Sequence, residues 1–145
     1  MGGSYRELDH PADLWLEVRG ASLPRLAENA LFALFDTMVA TDDVAMESTA
    51  TLRGVGSDPA EALRSLLTEA LFLFDTQGFT AAAAEVMAEI REAPRETVLT
   101  ATLWGETLRP DCHRLKTEVK AVTYHLLQVK EDEEKGWQAA VILDV

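Results

Sequence analysis

The chain has 145 residues, of which 48% are hydrophobic, and it carries a single cysteine. This length is typical of one domain, so we expect 1–145 to form a single unit whose core needs no disulfide bond. The net charge of −12 disfavours direct binding to nucleic acid, because phosphate contacts are made chiefly by Lys and Arg. No stretch approaches the roughly 20 apolar residues of a membrane span, and the start lacks a signal-peptide pattern. A lone cysteine favours a reducing compartment, so we expect a cytoplasmic protein without membrane association.

The first half of the chain alternates between strand and helix patterns. Apolar residues at every second position predict a strand over 13–19. Apolar residues at three- and four-residue spacing then predict a helix over about 24–40, with Ser22 as its N-cap. A Thr-rich run over 46–54 predicts the next strand.

Local sequence signals mark both the start and the end of a second helix. Asp58 is a candidate N-cap, Pro59 suits the first turn, and Glu61 has the spacing of a capping box. Gly78 lies where the helix is expected to end. We therefore predict an amphipathic helix between Asp58 and Gly78.

The second half of the chain is rich in strand patterns. The stretch 79–93 is ambiguous, because four consecutive alanines favour helix while later residues alternate as in a strand. Strands are predicted over 98–104, 119–129 and 137–145, and a charged turn over 131–136 joins the last two. The order of elements predicts an α+β fold, with an antiparallel or mixed β-sheet and two amphipathic helices packed on it.

The common catalytic signatures are missing from the sequence. It contains no glycine-rich phosphate loop, CxxC pair, HExxH or GxSxG motif. Cys112 and His113 are adjacent, but sequence neighbours need not meet in space, and no group that would orient the histidine as a base is evident. A hydrolase that uses Cys112 or paired carboxylates is therefore the least favoured class.

Carboxylates form the more informative pattern. Asp9 comes shortly before the predicted first strand and Asp13 begins it, Asp58 opens the second helix, and Asp144 stands beside the terminal carboxylate of Val145. Two or three such groups from separate elements, with carbonyl oxygens and water, would suffice for a hard cation such as calcium or magnesium. For Asp58 a helix cap is the simpler interpretation. Asp144 follows an apolar run, so it either lies exposed at a strand end or requires a partner.

Three basic side chains are further candidates. His10 lies among acidic residues before the first strand, whereas His125 lies within an apolar predicted strand. A histidine in that second setting is more often part of a core or a sheet surface than a ligand. Lys120 has Glu118 two residues earlier on the same strand face, which a simple surface pair would explain.

Several segments together resemble the archease family along nearly the whole chain. They are DHPADLWLEV, GSDPAEALRSLLTEALF, LWGE, EVKAVTYH and the closing WQAAVILDV. The most specific are EVKAVTYH and the terminal aliphatic-Asp-Val. The resemblance implies a small α+β domain that activates an RtcB-type RNA ligase by promoting guanylylation of the ligase histidine in tRNA splicing and RNA repair. It implies an accessory protein, not an enzyme, that binds a divalent metal ion, often calcium, with magnesium or manganese as alternatives.

Site residues follow from the resemblance position by position. Asp13 is similar to the aspartate of the family's His-Thr-Ala-Asp motif, and Asp144 and Val145 correspond to its last two residues, so these three are the expected metal ligands. Lys120 and His125 match polar members of the family's Val-Lys-Ala-x-Thr-Tyr-His run and are expected near the partner-facing tip.

This chain departs from the family pattern at two places. Pro11 replaces the usual threonine, which removes a hydroxyl and a backbone N–H. The alanine-rich run is less typical of a strand than the family fold implies. Following the resemblance over propensity, we predict a strand over about 84–91.

One further class fits the same composition. A metal-binding, chaperone-like interaction module without a ligase partner would also be acidic and would also carry amphipathic helices. Identification of the proteins that the chain captures would separate this class from the ligase activator.

Overall fold

The computed structural model describes residues 13–109, 111–123 and 128–145. Within these residues two helices and seven strands follow one another in chain order. They are β1 (Asp13–Gly20), α1 (Leu23–Met38), β2 (Ser48–Gly56), α2 (Pro59–Gln77), β3 (Phe79–Arg91), β4 (Glu96–Thr107), β5 (Ala121–Val122), β6 (Gln128–Asp132) and β7 (Gly136–Asp144). A short 3₁₀ turn, Thr41–Asp43, follows α1. The predicted α+β class is confirmed.

The strands form two antiparallel sheets. In the first sheet β7 is central and pairs with β1 on one side and with β5 and β6 on the other. In the second sheet β4 lies between β2 and β3. Helix α1 packs against β1 and β3, and α2 packs against β2 and β5, so each helix contacts both sheets. The core therefore lies between the helices and the inner faces of the sheets.

Helix α1 forms where the periodic apolar pattern predicts it. The Ser22 hydroxyl accepts a hydrogen bond from the Arg25 N–H at 3.3 Å, which caps the first turn. The buried stripe of the helix is made of Leu23, Leu26, Ala27, Ala30, Leu31, Leu34, Phe35 and Met38. Burying each large side chain of this stripe stabilises the fold by about 1.5–3 kcal/mol.

Helix α2 begins and ends at the residues that the sequence marks. The Asp58 carboxylate accepts a hydrogen bond from the Glu61 N–H at 2.8 Å, and Gly78 ends the helix in the left-handed region with φ 68°. The Gly78 N–H donates to the Phe74 carbonyl at 2.9 Å. In the described part of the chain, neither helix has the length and apolar character that a membrane crossing needs.

Two glycines of β2 let α2 approach the sheet closely. A Cβ atom on Gly54 would collide with the Ala62 carbonyl oxygen and would lie 2.6 Å from the Leu66 backbone nitrogen. A Cβ atom on Gly56 would lie 2.5 Å from the Ala62 nitrogen. Neither glycine has a positive φ. These positions therefore require a residue without a side chain, and not the conformational freedom of glycine.

The ambiguous alanine-rich stretch is a long strand. It pairs with β4 from Phe79 to Arg91, with a bulge between Ala81 and Ala83. The predicted strand over 84–91 is therefore correct but too short at its start. The outward-facing N–H of Val86 donates to the Glu28 carboxylate of α1 at 2.9 Å, so the helix satisfies one backbone donor on this edge of the sheet.

The single strand predicted over 119–129 is wrong as a continuous element. Two short strands, β5 and β6, pair in turn with β7. Thr123 donates its N–H to the Ile142 carbonyl, and Gln128 pairs with Ala140. Val119, Lys120 and Thr123 belong to no strand, so the described residues contradict a strand that runs unbroken from 119, and residues 124–127 lie outside the described part of the chain.

Candidate metal centre and its surroundings

The two aspartates expected to bind metal are direct neighbours across the first sheet. Asp13, the first residue of β1, is the register partner of Asp144, the last residue of β7. Cross-strand partners in an antiparallel pair place their side chains on the same face, with Cβ atoms about 4.5–5.5 Å apart. The structure therefore brings together two carboxylates from opposite ends of the sequence, with Val145 next in the chain.

Both carboxylates are accessible. Asp13 is exposed and Asp144 is half-buried, and within the described residues neither forms an ion pair with a lysine or arginine. Like charges directly opposite one another are unfavourable in a sheet unless something compensates them. This arrangement suits a cation.

Lys120 borders the same site through its backbone. Its N–H donates to the Asp144 carbonyl at 2.7 Å, and the next residue, Ala121, is the register partner of Asp144 on the side away from β1. The main chain of Asp144 is thus held from both sides, which fixes where its carboxylate projects. The Lys120 side chain is exposed.

The remaining predicted site residues either lie away from this pair or fall outside the described residues. Asp58 is exposed and serves as the cap of α2, as the simpler interpretation expected. His10 and His125 fall outside the described residues, and their roles stay predictions. Within 13–109, 111–123 and 128–145, no group of three or more His, Cys, Asp or Glu residues has a metal-binding arrangement.

A buried acid–histidine pair, which was not predicted from the sequence, lies at one end of the second sheet. Glu106, near the end of β4, and His113 are both buried, and the His113 Nε2 lies 3.0 Å from a Glu106 carboxylate oxygen. The His113 Nδ1 accepts the Arg109 N–H at 2.7 Å, so the ring proton resides on Nε2 and is donated to Glu106. Both ring nitrogens are engaged, and His113 is therefore not available as a base for the exposed Cys112.

Glu106 also ties the segment after the 3₁₀ turn to the sheet. It accepts the Ala45 N–H at 2.6 Å and pairs with the Arg109 guanidinium at 2.9 Å. The Ala45 N–H and then the His113 ring hold the pKa of the Glu106 carboxyl below its usual value, against the opposing effect of burial. Glu106 is thus an ionised structural anchor that joins three segments of the chain.

The Glu106 anchor makes a testable contribution to acid stability. A carboxyl whose pKa is lowered by folding stabilises the native state above its unfolded pKa, and that stabilisation is lost as the pH falls through the folded value. We expect Glu106→Gln to lower the free energy of unfolding at pH 7. The difference in unfolding free energy between the variant and the wild type should become smaller as the pH falls below 4.5, the ordinary pKa of a glutamate carboxyl. Urea denaturation between pH 7 and pH 3 measures both effects.

Glu89→Gln is the matched control. Arg91 lowers the pKa of the Glu89 carboxyl through a side-chain hydrogen bond, but both side chains of this pair are largely exposed, so solvent screens it. Its stability curve should therefore follow the wild type at every pH. If the unfolding free energies of Glu106→Gln and the wild type differed by the same amount at every pH, the role of Glu106 as an ionised anchor would be contradicted.

Comparison with known proteins gives a consistent result. The Archease protein family (MTH1598/TM1083) matches residues 5–145. Protein archease of Methanosarcina acetivorans is 33% identical over 145 residues, which cover 100% of this chain and 98% of that protein. Protein archease of Archaeoglobus fulgidus is 36% identical over 141 residues, covering 97% and 98%. The solution structure of Methanobacterium thermoautotrophicum protein 1598 superposes with a TM-score of 0.70 at 30% identity, over 92% of this chain and 91% of that one.

Proposed function

This chain belongs to the archease family, and from that membership we propose that it activates an RtcB-type RNA ligase. In this proposal it promotes guanylylation of the ligase histidine and repeated turnover in tRNA splicing and RNA repair. It acts as an accessory protein that contributes no nucleophile, and we expect no direct contact with RNA, because the net charge is −12.

The observation that carries the proposal is the pairing of Asp13 with Asp144. Magnesium is commonly bound by only one or two protein carboxylates together with water and substrate phosphates, whereas calcium takes six to eight oxygens. Two open carboxylates and a main-chain oxygen of Val145 are a fitting partial set for either ion. Such a set leaves coordination positions free for a partner or for a nucleotide.

The residues of this chain would hold the divalent ion and present it to the ligase. Asp13 and Asp144 would provide the carboxylate oxygens, and the Lys120 N–H would keep the Asp144 main chain in place. A bound divalent ion would supply charge neutralisation at phosphate oxygens during nucleotidyl transfer. The exposed Lys120 side chain would face the ligase, and we propose the same for His10 and His125.

Reconstitution tests the proposal directly. The purified chain is added to an RtcB-type ligase from the same source, and the guanylylated ligase and the number of ligation turnovers are measured. We expect multiple turnover only with the chain present. Removal of divalent ions from the chain before mixing should lower the rate of guanylylation, and calcium, magnesium or manganese should restore it to different extents.

Failure of the chain to change guanylylation or turnover would overturn the proposal. Capture of many unfolded proteins in place of the ligase, in a pull-down from the source organism, would instead support a chaperone-like module.

A further inference from the structure

The 113–120 segment connects the end of α1 to the candidate metal centre. The N–H groups of Lys116 and Thr117 donate to carbonyls in the last turn of α1, at 2.9 and 3.0 Å. These carbonyls are among the four at a helix C-terminus that have no partner within the helix. The Ala40 N–H donates in the opposite direction, to the Arg114 carbonyl at 2.9 Å. The segment therefore follows a path that is set by the end of the helix.

Two buried side chains hold the ends of this segment. His113 and Val119 are each 4% exposed; the His113 ring is bound to the second sheet, and Val119 belongs to the core. The side chains of 114–118 between them are exposed. Lys116 pairs with Asp36 at 3.7 Å, but the two side chains are 39% and 43% exposed, so solvent screens the pair. His113 and Val119 are therefore the side chains that fix the position of the segment.

The end of the segment supports the main chain of Asp144. The Lys120 N–H donates to the Asp144 carbonyl at 2.7 Å. The next two residues form β5, which has few hydrogen bonds of its own because strands usually contain 3–10 residues. Beyond β5, the N–H and the hydroxyl of Thr123 bind the Ile142 carbonyl, two residues before Asp144. The support at Asp144 itself therefore depends on the 113–120 segment that leads to it.

We infer that His113 and Val119 are positioning residues for the candidate metal centre, because the segment that they hold places the Lys120 N–H against Asp144. Neither residue contacts the ion. Groups that orient a metal ligand from outside the coordination sphere typically contribute 10–100-fold to metal affinity. The inference rests on the proposed function, and it adds to the metal centre the residues that keep Asp144 in place beside Asp13.

Val119→Ala tests the inference, and Val86→Ala is its matched control. The two valines lose the same atoms and are almost equally buried, at 4% and 5% exposure, but Val86 belongs to β3 of the other sheet. The dissociation constants of the purified chain for calcium and for magnesium are measured by titration calorimetry, at a temperature where all variants are folded. We expect Val119→Ala to raise them at least about tenfold and Val86→Ala to leave them unchanged.

His113→Ala releases the other end of the segment and should raise the same dissociation constants. Amide hydrogen exchange without metal gives a second measurement, since it detects local opening separately from global unfolding. In Val119→Ala and His113→Ala, the amides of Lys116, Thr117 and Lys120 should exchange faster relative to those of α2. In Val86→Ala, the exchange of these three amides relative to α2 should match the wild type.

Dissociation constants for Val119→Ala or His113→Ala equal to those of Val86→Ala would overturn the inference. Unchanged relative exchange at the Lys120 amide would also overturn it. Either result would leave the proposed function standing, because the wild-type chain would still bind the ion and activate the ligase. Failure of the wild-type chain to bind calcium or magnesium would instead overturn the proposed metal centre, and this inference with it.

Discussion

Replacing Asp13 and Asp144 together with asparagine is expected to reduce activation of the ligase on the order of 100-fold or more. Loss of a residue that merely supports a metal ligand typically costs 10–100-fold, and this double variant removes both carboxylates of the candidate centre. Asparagine keeps the shape of each side chain while removing its charge. The rate of ligase guanylylation under single-turnover conditions measures the loss.

The same variant should be at least as stable as the wild type. Opposed like charges in a sheet are destabilising, and cross-strand pairs are worth roughly 0.2–1 kcal/mol, so neutralising this pair removes a repulsion. Thermal unfolding without metal should therefore begin no lower in the variant. Added calcium or magnesium should raise the melting temperature of the wild type, since a ligand that binds only the folded state stabilises it, and should leave the variant unchanged.

Asp42→Asn with Asp43→Asn is the matched control, because both residues are exposed and the net charge changes by the same amount. This control should retain activation and the response to metal. The proposed metal centre would be contradicted if the Asp13 and Asp144 variant activated the ligase as well as the wild type does. It would also be contradicted if the control lost as much ligase activation as that variant.

Gly54→Ala is expected to destabilise the fold by about 3 kcal/mol. Alanine would reduce the entropy of the unfolded chain and, where space allowed, would stabilise the protein by about 0.4–1 kcal/mol. At this position the new methyl group meets the α2 backbone at Ala62 and Leu66, which a rotamer change cannot relieve. The steric effect therefore outweighs the entropic one, since overpacking of a closed interface typically costs 1–3 kcal/mol and occasionally more.

Urea denaturation of Gly54→Ala beside Thr51→Ala separates packing from strand propensity. Thr51 lies on the same strand but is exposed, so its replacement should change the free energy of unfolding by no more than about 1 kcal/mol. An unfolding free energy for Gly54→Ala at or above that of the wild type would show that α2 does not depend on this close contact.

The helices could be predicted because their signals are local. The caps at Ser22 and Asp58 and the stop at Gly78 act on backbone groups within one turn, and the apolar periodicity repeats within each helix. The strand from Phe79 to Arg91 was harder to predict, because its alanines favour helix and the deciding contribution is pairing with β4 along its whole length. The short extent of β5 depends on its pairing with β7, for which the sequence carries no local signal.

The buried pair of Glu106 and His113 was missed for a similar reason. The two residues are seven positions apart, but the anchor also needs the N–H of Ala45, which is 61 positions away from Glu106. A glutamate near the end of a predicted strand is ordinarily assigned to the surface. Only the loops that cover it make this one a buried acceptor.

By itself, the sequence determined the two helices and most of the strands, because caps and apolar periodicity depend on residues close together in the chain. It also determined the acidic character of the chain and its resemblance to one family, because both can be read directly from the residues. The tertiary structure alone decided that Asp13 and Asp144 face one another and that Glu106 is enclosed. Those relations depend on strand register and on contacts between distant segments, which form only when the whole chain packs.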